Sequence, residues 1–311
     1  MLSKLESKGI KIMNKIFYPY KMIEKISSKL SNFKCFYSFS VLLNHVYLKS
    51  IQNFLQRNYK NLLNITPVPQ KTLQEYENPL WVCWFQGYEK APLLVRNCID
   101  NIKKQAGSHN VIVLDEKNML DYANIPDYII KKYREGIITK QNFSDILRFA
   151  LLSQQGGAWI DSTIWLTKPL AEELFKMDVY SIKNNKGNKY NIANRRWTAY
   201  FWICKKNSYF AQKVFQFFCE YWKNNSSLVD YFLIDHIIAF LYDNDSAIKD
   251  VLNKIPENNI HVTDLQKELL QPYNEEKLSK IRENTSIFKL SWKEDYSNLP
   301  ENATYYKFFK E

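Results

Sequence analysis

Two carboxylates and one guanidinium stand where the pattern otherwise builds a core. Asp145 and Arg148 lie one helical turn apart in NFSDILRFALLSQQGG, and Asp161 closes the apolar run AWI that follows. An unpaired buried charge costs several kcal/mol, so the three must pair with one another or hold a ligand. A carboxylate at a strand end can hold a cation, and a planar guanidinium can hold an anionic group such as a diphosphate. Plainer readings compete. Asp145 and Arg148 at i, i+3 also fit an internal salt bridge, and Asp161 also fits a turn cap.

The stretch from Asn142 to Thr167 that carries them reads as one helix, a stop at Gly156-Gly157, and one strand. On the helix, Asp145, Arg148, Phe149 and Leu152 share a side, while Ile146, Leu147, Ala150 and Leu151 cover the rest. A helix that is apolar nearly all round is expected to be buried. The strand Ala158–Ile160 gives out at Asp161. Upstream, the run Leu80–Phe85 (LWVCWF) is bounded by Pro79 and Gly87 and has strand length. A helix from Pro92 and a strand Asn110–Leu114 follow it, so the spacing predicts a β-α-β unit with parallel strands. In open α/β sheets, ligands sit beyond the carboxyl ends of such strands. Trp84, at one of those ends, could stack a base or could fill the core with Trp81.

Further helices are expected at 126–134, 170–176, from an Asn207 cap to Trp222, at 228–242, and around Leu265 and Ile281. Strands are expected at 179–182, 197–203 and 286–292. Asp230 and Asp235 do not share a helix face, so only one of them can point at a site. His236, inside an apolar helix, reads as a core histidine.

Composition sets the outer limits. With 311 residues, 46% of them hydrophobic, the chain can bury a sizeable core and is not a disordered one. Eleven lysines and arginines stand against Glu6 and Glu24 in residues 1–60, so most of the net charge of +11 lies there. Residues 1–65 therefore read as a basic, amphipathic helical extension, and 66–311 as a nearly neutral main domain reached through the linker Thr66–Pro69. The extension could meet anionic lipid, an acidic partner or nucleic acid, or remain a solvated helical region. A neutral body with no basic–aromatic motif argues against nucleic acid. Five cysteines without a CxxC, and four histidines that do not cluster with them, give reduced thiols and no zinc site. No GxSxG, HExxH, P-loop or GxGxxG occurs. Lysines interrupt any apolar signal region, and no run of 18 apolar residues occurs. The expectation is a cytoplasmic protein, with its extension peripheral on the inner face of a membrane.

The residues Ser144-Asp145-Ile146-Leu147-Arg148, Gly156-Gly157 and Trp159-Ile160-Asp161 resemble the SD-x-x-R…GG-x-Y/W-x-D-x-D core of the DxD sugar-transferase superfamily. More closely, the chain resembles the bacterial capsular polysaccharide synthesis proteins related to glycosyltransferase family 32. The resemblance extends to Val82–Gly87 (VCWFQG), Pro92–Lys103, Val111–Asp115, Lys168-Pro169-Leu170 and Lys289–Trp292 (KLSW). It implies a Rossmann-like α/β domain of the GT-A type, with a helical N-terminal extension and helical C-terminal additions. It implies transfer of a sugar, with retention, from a nucleotide-diphosphate donor to a capsular or surface glycan, free or lipid-linked.

By position, the resemblance puts Trp84, flanked by Cys83 and Phe85, beside the donor base, and Asp145 and Arg148 on its sugar and ribose. Asp161 becomes the first carboxylate of the DxD, with Ser162 and Thr163 after it, and Ser291 and Trp292 lie on a loop closing over the diphosphate. Asp230 is a candidate near the acceptor. The implied cofactor is Mn2+ or Mg2+ on Asp161 and Thr163. Here the chain departs from the superfamily, since Thr163 replaces the second carboxylate and offers only a neutral oxygen. The ion would then be held weakly or mostly by the substrate. The same loss keeps open an alternative, a non-catalytic subunit that binds nucleotide-sugar or glycan.

Overall fold

A computed structural model describes residues 22–23, 25–30, 34–67, 76–183, 191–296 and 298–309. Of the expected extension, residues 1–21, 24 and 31–33 lie outside the described residues, as do half of the linker at 66–69 and residues 184–190. In chain order the regular elements are α1 (Tyr37–Tyr59), β1 (Leu80–Cys83), α2 (Leu93–Lys104), β2 (Val111–Leu114), α3 (Asp127–Arg134), α4 (Lys140–Gln154), β3 (Gly157–Ile160), β4 (Ile164–Leu166), α5 (Glu172–Lys176), β5 (Val179–Ser181) and β6 (Phe201–Cys204). They continue with α6 (Tyr209–Asn224), α7 (Leu233–Asn244), α8 (Ser246–Asn253), α9 (Asp264–Leu269), α10 (Glu275–Arg282), β7 (Ile287–Lys289) and α11 (Thr304–Phe309).

Five strands form the main sheet in the order β2-β1-β3-β6-β5, and β4 pairs with β7 in a second, two-stranded sheet. β1 is parallel to β2 on one side and to β3 on the other. β6 runs antiparallel to both β3 and β5. This is a Rossmann-like α/β fold, and the expected β-α-β opening is present. The chain winds one way from β1 to β2 and the other way from β1 to β3. The topological switch point, where such sheets bind ligands, therefore lies between β1 and β3.

The strands β3 and β6 are buried along their whole length, which is why they read as unbroken apolar runs. The helix α4 packs against α6 and the sheet and is buried nearly all round. Its turn into β3 requires glycine twice. Gly156 and Gly157 have φ of +73° and +84°, and a Cβ on either would lie 2.4 Å from the Lys206 nitrogen or 2.1 Å from the Pro79 carbonyl oxygen.

Three expectations need correction. The run from Gly157 to Leu166 is two strands in two sheets, not one strand. At Asp161 the chain turns, with the Ile164 amide donating to the Asp161 carbonyl at 2.9 Å, and passes into the small sheet. A three-residue strand with its partner more than a hundred residues downstream leaves little local pattern. Second, the cap of α6 is Ser208, whose hydroxyl accepts from the Ala211 amide, while Asn207 takes a left-handed φ of +59°. Third, α7 begins at Leu233. Asp230 accepts from the Phe232 amide at 2.6 Å and holds residues 230–232 in a turn instead.

The helix α1 has two characters. Its second half buries Tyr47, Ile51, Leu55 and Tyr59 in the same core as the main sheet. Just beyond it, the Lys213 ammonium donates to the carbonyls of Leu62, Leu63 and Ile65 at 2.7, 3.0 and 2.7 Å. Its first half is inverted: Ser40 and Asn44 are buried, while Phe36, Phe39, Leu42 and Val46 stand 42–57% exposed.

Candidate functional site

The carboxyl ends of β1 and β3 meet α4 at the switch point, and simple geometry explains why. The Gly-Gly turn folds α4 back along β3. From Arg148 the helix advances about 9 Å to its end at Gln154, at about 1.5 Å per residue, and the turn through Gln155 and Gly156 carries the chain on to Gly157. From Gly157 to Asp161 the strand advances about 13 Å, at about 3.3 Å per residue. Arg148 is therefore level with Asp161, and its Nη2 lies 3.5 Å from Asp161 Oδ1. One turn earlier on the helix, Asp145 Oδ1 accepts from Arg148 Nη1 at 2.6 Å. The guanidinium also lies over the Trp159 ring, 4.9 Å from its centre, and that indole donates to Asp161 Oδ1 at 3.0 Å.

A fourth charge completes the cluster. Pairing of β4 with β7 sets Lys289 opposite Ile164, three residues past Asp161. Its ammonium donates to Asp161 Oδ2 at 2.8 Å and to Thr163 Oγ1 at 2.7 Å, beside the face of Tyr200. Asp161 is thus held on both oxygens, yet 28% of its side chain and 26% of that of Lys289 remain open to solvent. Arg148 is nearly closed off, and its Nε is buried with no partner.

The electrostatics separate the carboxylates. Burial pushes Asp145 up to about 6, outweighing the attraction of Arg148. Burial also opposes ionisation of Asp161, but Lys289 and Arg148 together with the Lys289 and Trp159 hydrogen bonds prevail and hold it below the ordinary carboxylate range. β1 pairs with β3 in the register Trp81 to Trp159, which carries the end of β1 at Cys83 alongside Asp161, and burial pushes the Cys83 thiol up. Next to it, Trp84 meets Trp292 edge to face at 5.8 Å, and its buried indole nitrogen has no partner. Trp292 is 42% exposed. Ser291 is fixed by Gln266, whose Oε1 accepts from its amide at 2.7 Å. Phe85 instead turns its ring to Tyr133 and Phe143. Ser162 is buried in the turn.

A model of the capsular polysaccharide synthesis protein family matches residues 18–309. The chain belongs to that family. No curated protein matches it. A role in capsule biosynthesis follows from the family; the chemistry has to be argued from the site.

In this capsular polysaccharide synthesis protein, Asp230 stands apart from the cluster. It accepts from the Tyr47 hydroxyl of α1 and lies 3.6 Å from His236 Nε2. Asp235, from the first turn of α7, is the carboxylate that Asp145 and Arg148 feel. The Trp197 indole and Asn191 hold its oxygens at 3.0 and 3.1 Å, and burial pushes it up. A cavity of about 520 Å3 lies elsewhere, between α2, β4 and α11, and includes none of these charges.

Lys289 went unassigned in the sequence. It opens the KLSW run but looks there like any lysine on a short strand; only the β4–β7 register reveals its position. That position also bears on a metal. Among the described residues no cluster of three histidine, cysteine or acidic side chains could hold one. Asp161 and Thr163 supply one charge and one hydroxyl, both already bonded to an ammonium. A divalent ion about 4 Å from that ammonium would meet a repulsion on the order of 8 kcal/mol at an effective dielectric near 20. Asp161 already answers both Lys289 and Arg148, so the turn offers a divalent ion one shared carboxylate and one hydroxyl, and these residues do not fit a resident divalent ion.

Proposed function

We propose that this protein is a glycosyltransferase of the GT-A type in the DxD sugar-transferase superfamily, taking a sugar from a nucleotide-diphosphate donor. The observation that carries the reading is the Arg148–Asp161–Lys289 cluster at the switch point, part open to solvent at Asp161 and Lys289. In this reading Trp84 and Trp292 flank the base, while Asp145 and Arg148 orient the sugar. The acceptor is a growing capsular or surface glycan. Its hydroxyl oxygen bonds to the anomeric carbon as the bond from that carbon to the diphosphate oxygen breaks. The electron pair stays on the diphosphate, and the hydroxyl proton passes to the departing oxygen on the same face, giving retention. The protein contributes position and charge stabilisation rather than a covalent intermediate.

The inverted half of α1 and the basic segment before it support docking on the anionic, cytoplasmic leaflet, where lipid-linked acceptors lie. Among the described residues no helix is long and apolar enough to cross a membrane. The test is turnover of a panel of uridine, guanosine, adenosine and cytidine diphosphate sugars, with water or a glycan as acceptor. Release of nucleoside diphosphate by wild type and its loss in Asp161→Ala supports the reading. Binding with no turnover of any donor would make the chain a non-catalytic subunit.

A further inference from the structure

We propose that the Lys289 ammonium is the resident cation for the donor's diphosphate, so that nucleotide binding and turnover need no divalent metal. The inference rests on the donor-site reading above and deepens it.

The Lys289 nitrogen occupies the space between Asp161 and Thr163, the two positions that a metal bridging this motif would use. An ammonium has three N–H donors and no acceptor. Two are spent on the motif, at 2.8 and 2.7 Å. The third is left for a phosphate oxygen, on a side chain that is 26% exposed. Asp161 holds the ammonium in place much as it would hold an ion, and Thr163 needs no charge to accept from it. The threonine is then no defect. With a monovalent cation in the site, one carboxylate balances it, and a second would bury surplus negative charge beside the diphosphate.

The backbone also fixes this lysine. Its amide donates to the Val262 carbonyl at 2.7 Å, and the next amide, of Leu290, donates to the Thr163 carbonyl at 2.9 Å. The ammonium is therefore presented by a strand bonded on two sides, not by a mobile loop. Arg148, with its free Nε, supplies a second fixed positive charge on the far side of Asp161. With Asp145 on Arg148 and Asp161 between Arg148 and Lys289, the two cations are matched by two carboxylates, and it is their uncommitted N–H donors, not a net positive charge, that would seat a diphosphate.

The experiment is calorimetric titration of full-length wild type, Lys289→Ala and Lys289→Arg with uridine, guanosine, adenosine and cytidine diphosphate. Each titration is run in EDTA and again in manganese chloride, after circular dichroism has confirmed folding. Expected is binding of at least one nucleotide by wild type in EDTA, changed less than about threefold by manganese. Lys289→Ala loses at least about 30-fold in EDTA, as removal of a charge partner does, and recovers part of that affinity in manganese because Asp161 and Thr163 are freed. Lys289→Arg keeps most of the wild-type affinity. A purely structural lysine would give no manganese rescue. Wild-type binding that appears only with manganese overturns the lysine inference and leaves the donor site standing. No binding in either buffer overturns both.

Discussion

Two lysines of this chain have their ammonium groups drawn in from the surface, and they end in different situations. Lys213 is 2% exposed, and the carbonyls of Leu62, Leu63 and Ile65 take its donors. Every donor has a backbone partner, so no vacancy remains for a ligand. Its task is to pin the segment after α1 to α6. Lys289 is only partly covered, bonds one charged and one neutral side chain, and keeps a donor in hand. The difference separates a buried charge fully committed to structure from one with capacity left for a ligand: not by burial, but by whether its hydrogen-bonding capacity is exhausted. The two carboxylates Asp230 and Asp161 repeat the lesson. Asp230 is committed to Tyr47, His236 and the Phe232 amide, whereas Asp161 joins two cations at an open edge.

Substitutions can break this contrast, and the largest effect is expected at the open pole. Asp161→Ala should lower turnover of the active donor by about 100-fold or more, with a change in melting temperature of only a few degrees. A steady-state assay beside a thermal melt reads both, and equal loss of fold and turnover would erase the distinction. At the closed pole, Lys213→Met leaves three carbonyls short of a donor. Unfolding stability should fall by about 3 kcal/mol, seen as a melting temperature lower by roughly 5 °C. Activity per folded molecule should be unchanged.

Asp145 gives a pH test between the poles. Its carboxyl binds a proton more tightly in the folded chain, at about 6, than at its ordinary 3.8. The folded state therefore loses stability as pH rises from about 4 to about 6, by roughly 2–3 kcal/mol, with no further loss above. Urea unfolding across that range should show the slope, and Asp145→Asn should flatten it. The smallest effect is expected from Asp230→Asn. It should cost about 1–2 kcal/mol through the contact of α1 with α7 and leave nucleotide affinity untouched in the same titrations.

Much of this was readable before the fold was known, for physical reasons. Asp145, Arg148 and Asp161 announced themselves because charge in an apolar pattern must be accounted for. The helix and strand lengths either side of Gly156-Gly157 are local, and they alone put Arg148 level with Asp161. Trp84 fell at the end of β1 by the same logic. Lys289 did not, because its place depends on β4 pairing with β7 across most of the domain. No window of sequence carries that register. Asp230 is the opposite case. A carboxylate ahead of an apolar helix looks available, and nothing nearby says that Tyr47, on a helix far upstream, takes it.

The turn from Asp161 to Thr163 belongs to neither sheet. It is the strip of chain on which the large sheet ends and the small one begins, and Lys289 reaches it from the small sheet. A diphosphate seated on Arg148 and Lys289 would grip one layer with each hand, like a rivet through a lap joint. Occupancy should then be felt as stiffness. The amides of β3 and of β7 should slow their hydrogen exchange together when nucleotide binds, although the two strands never touch within one sheet.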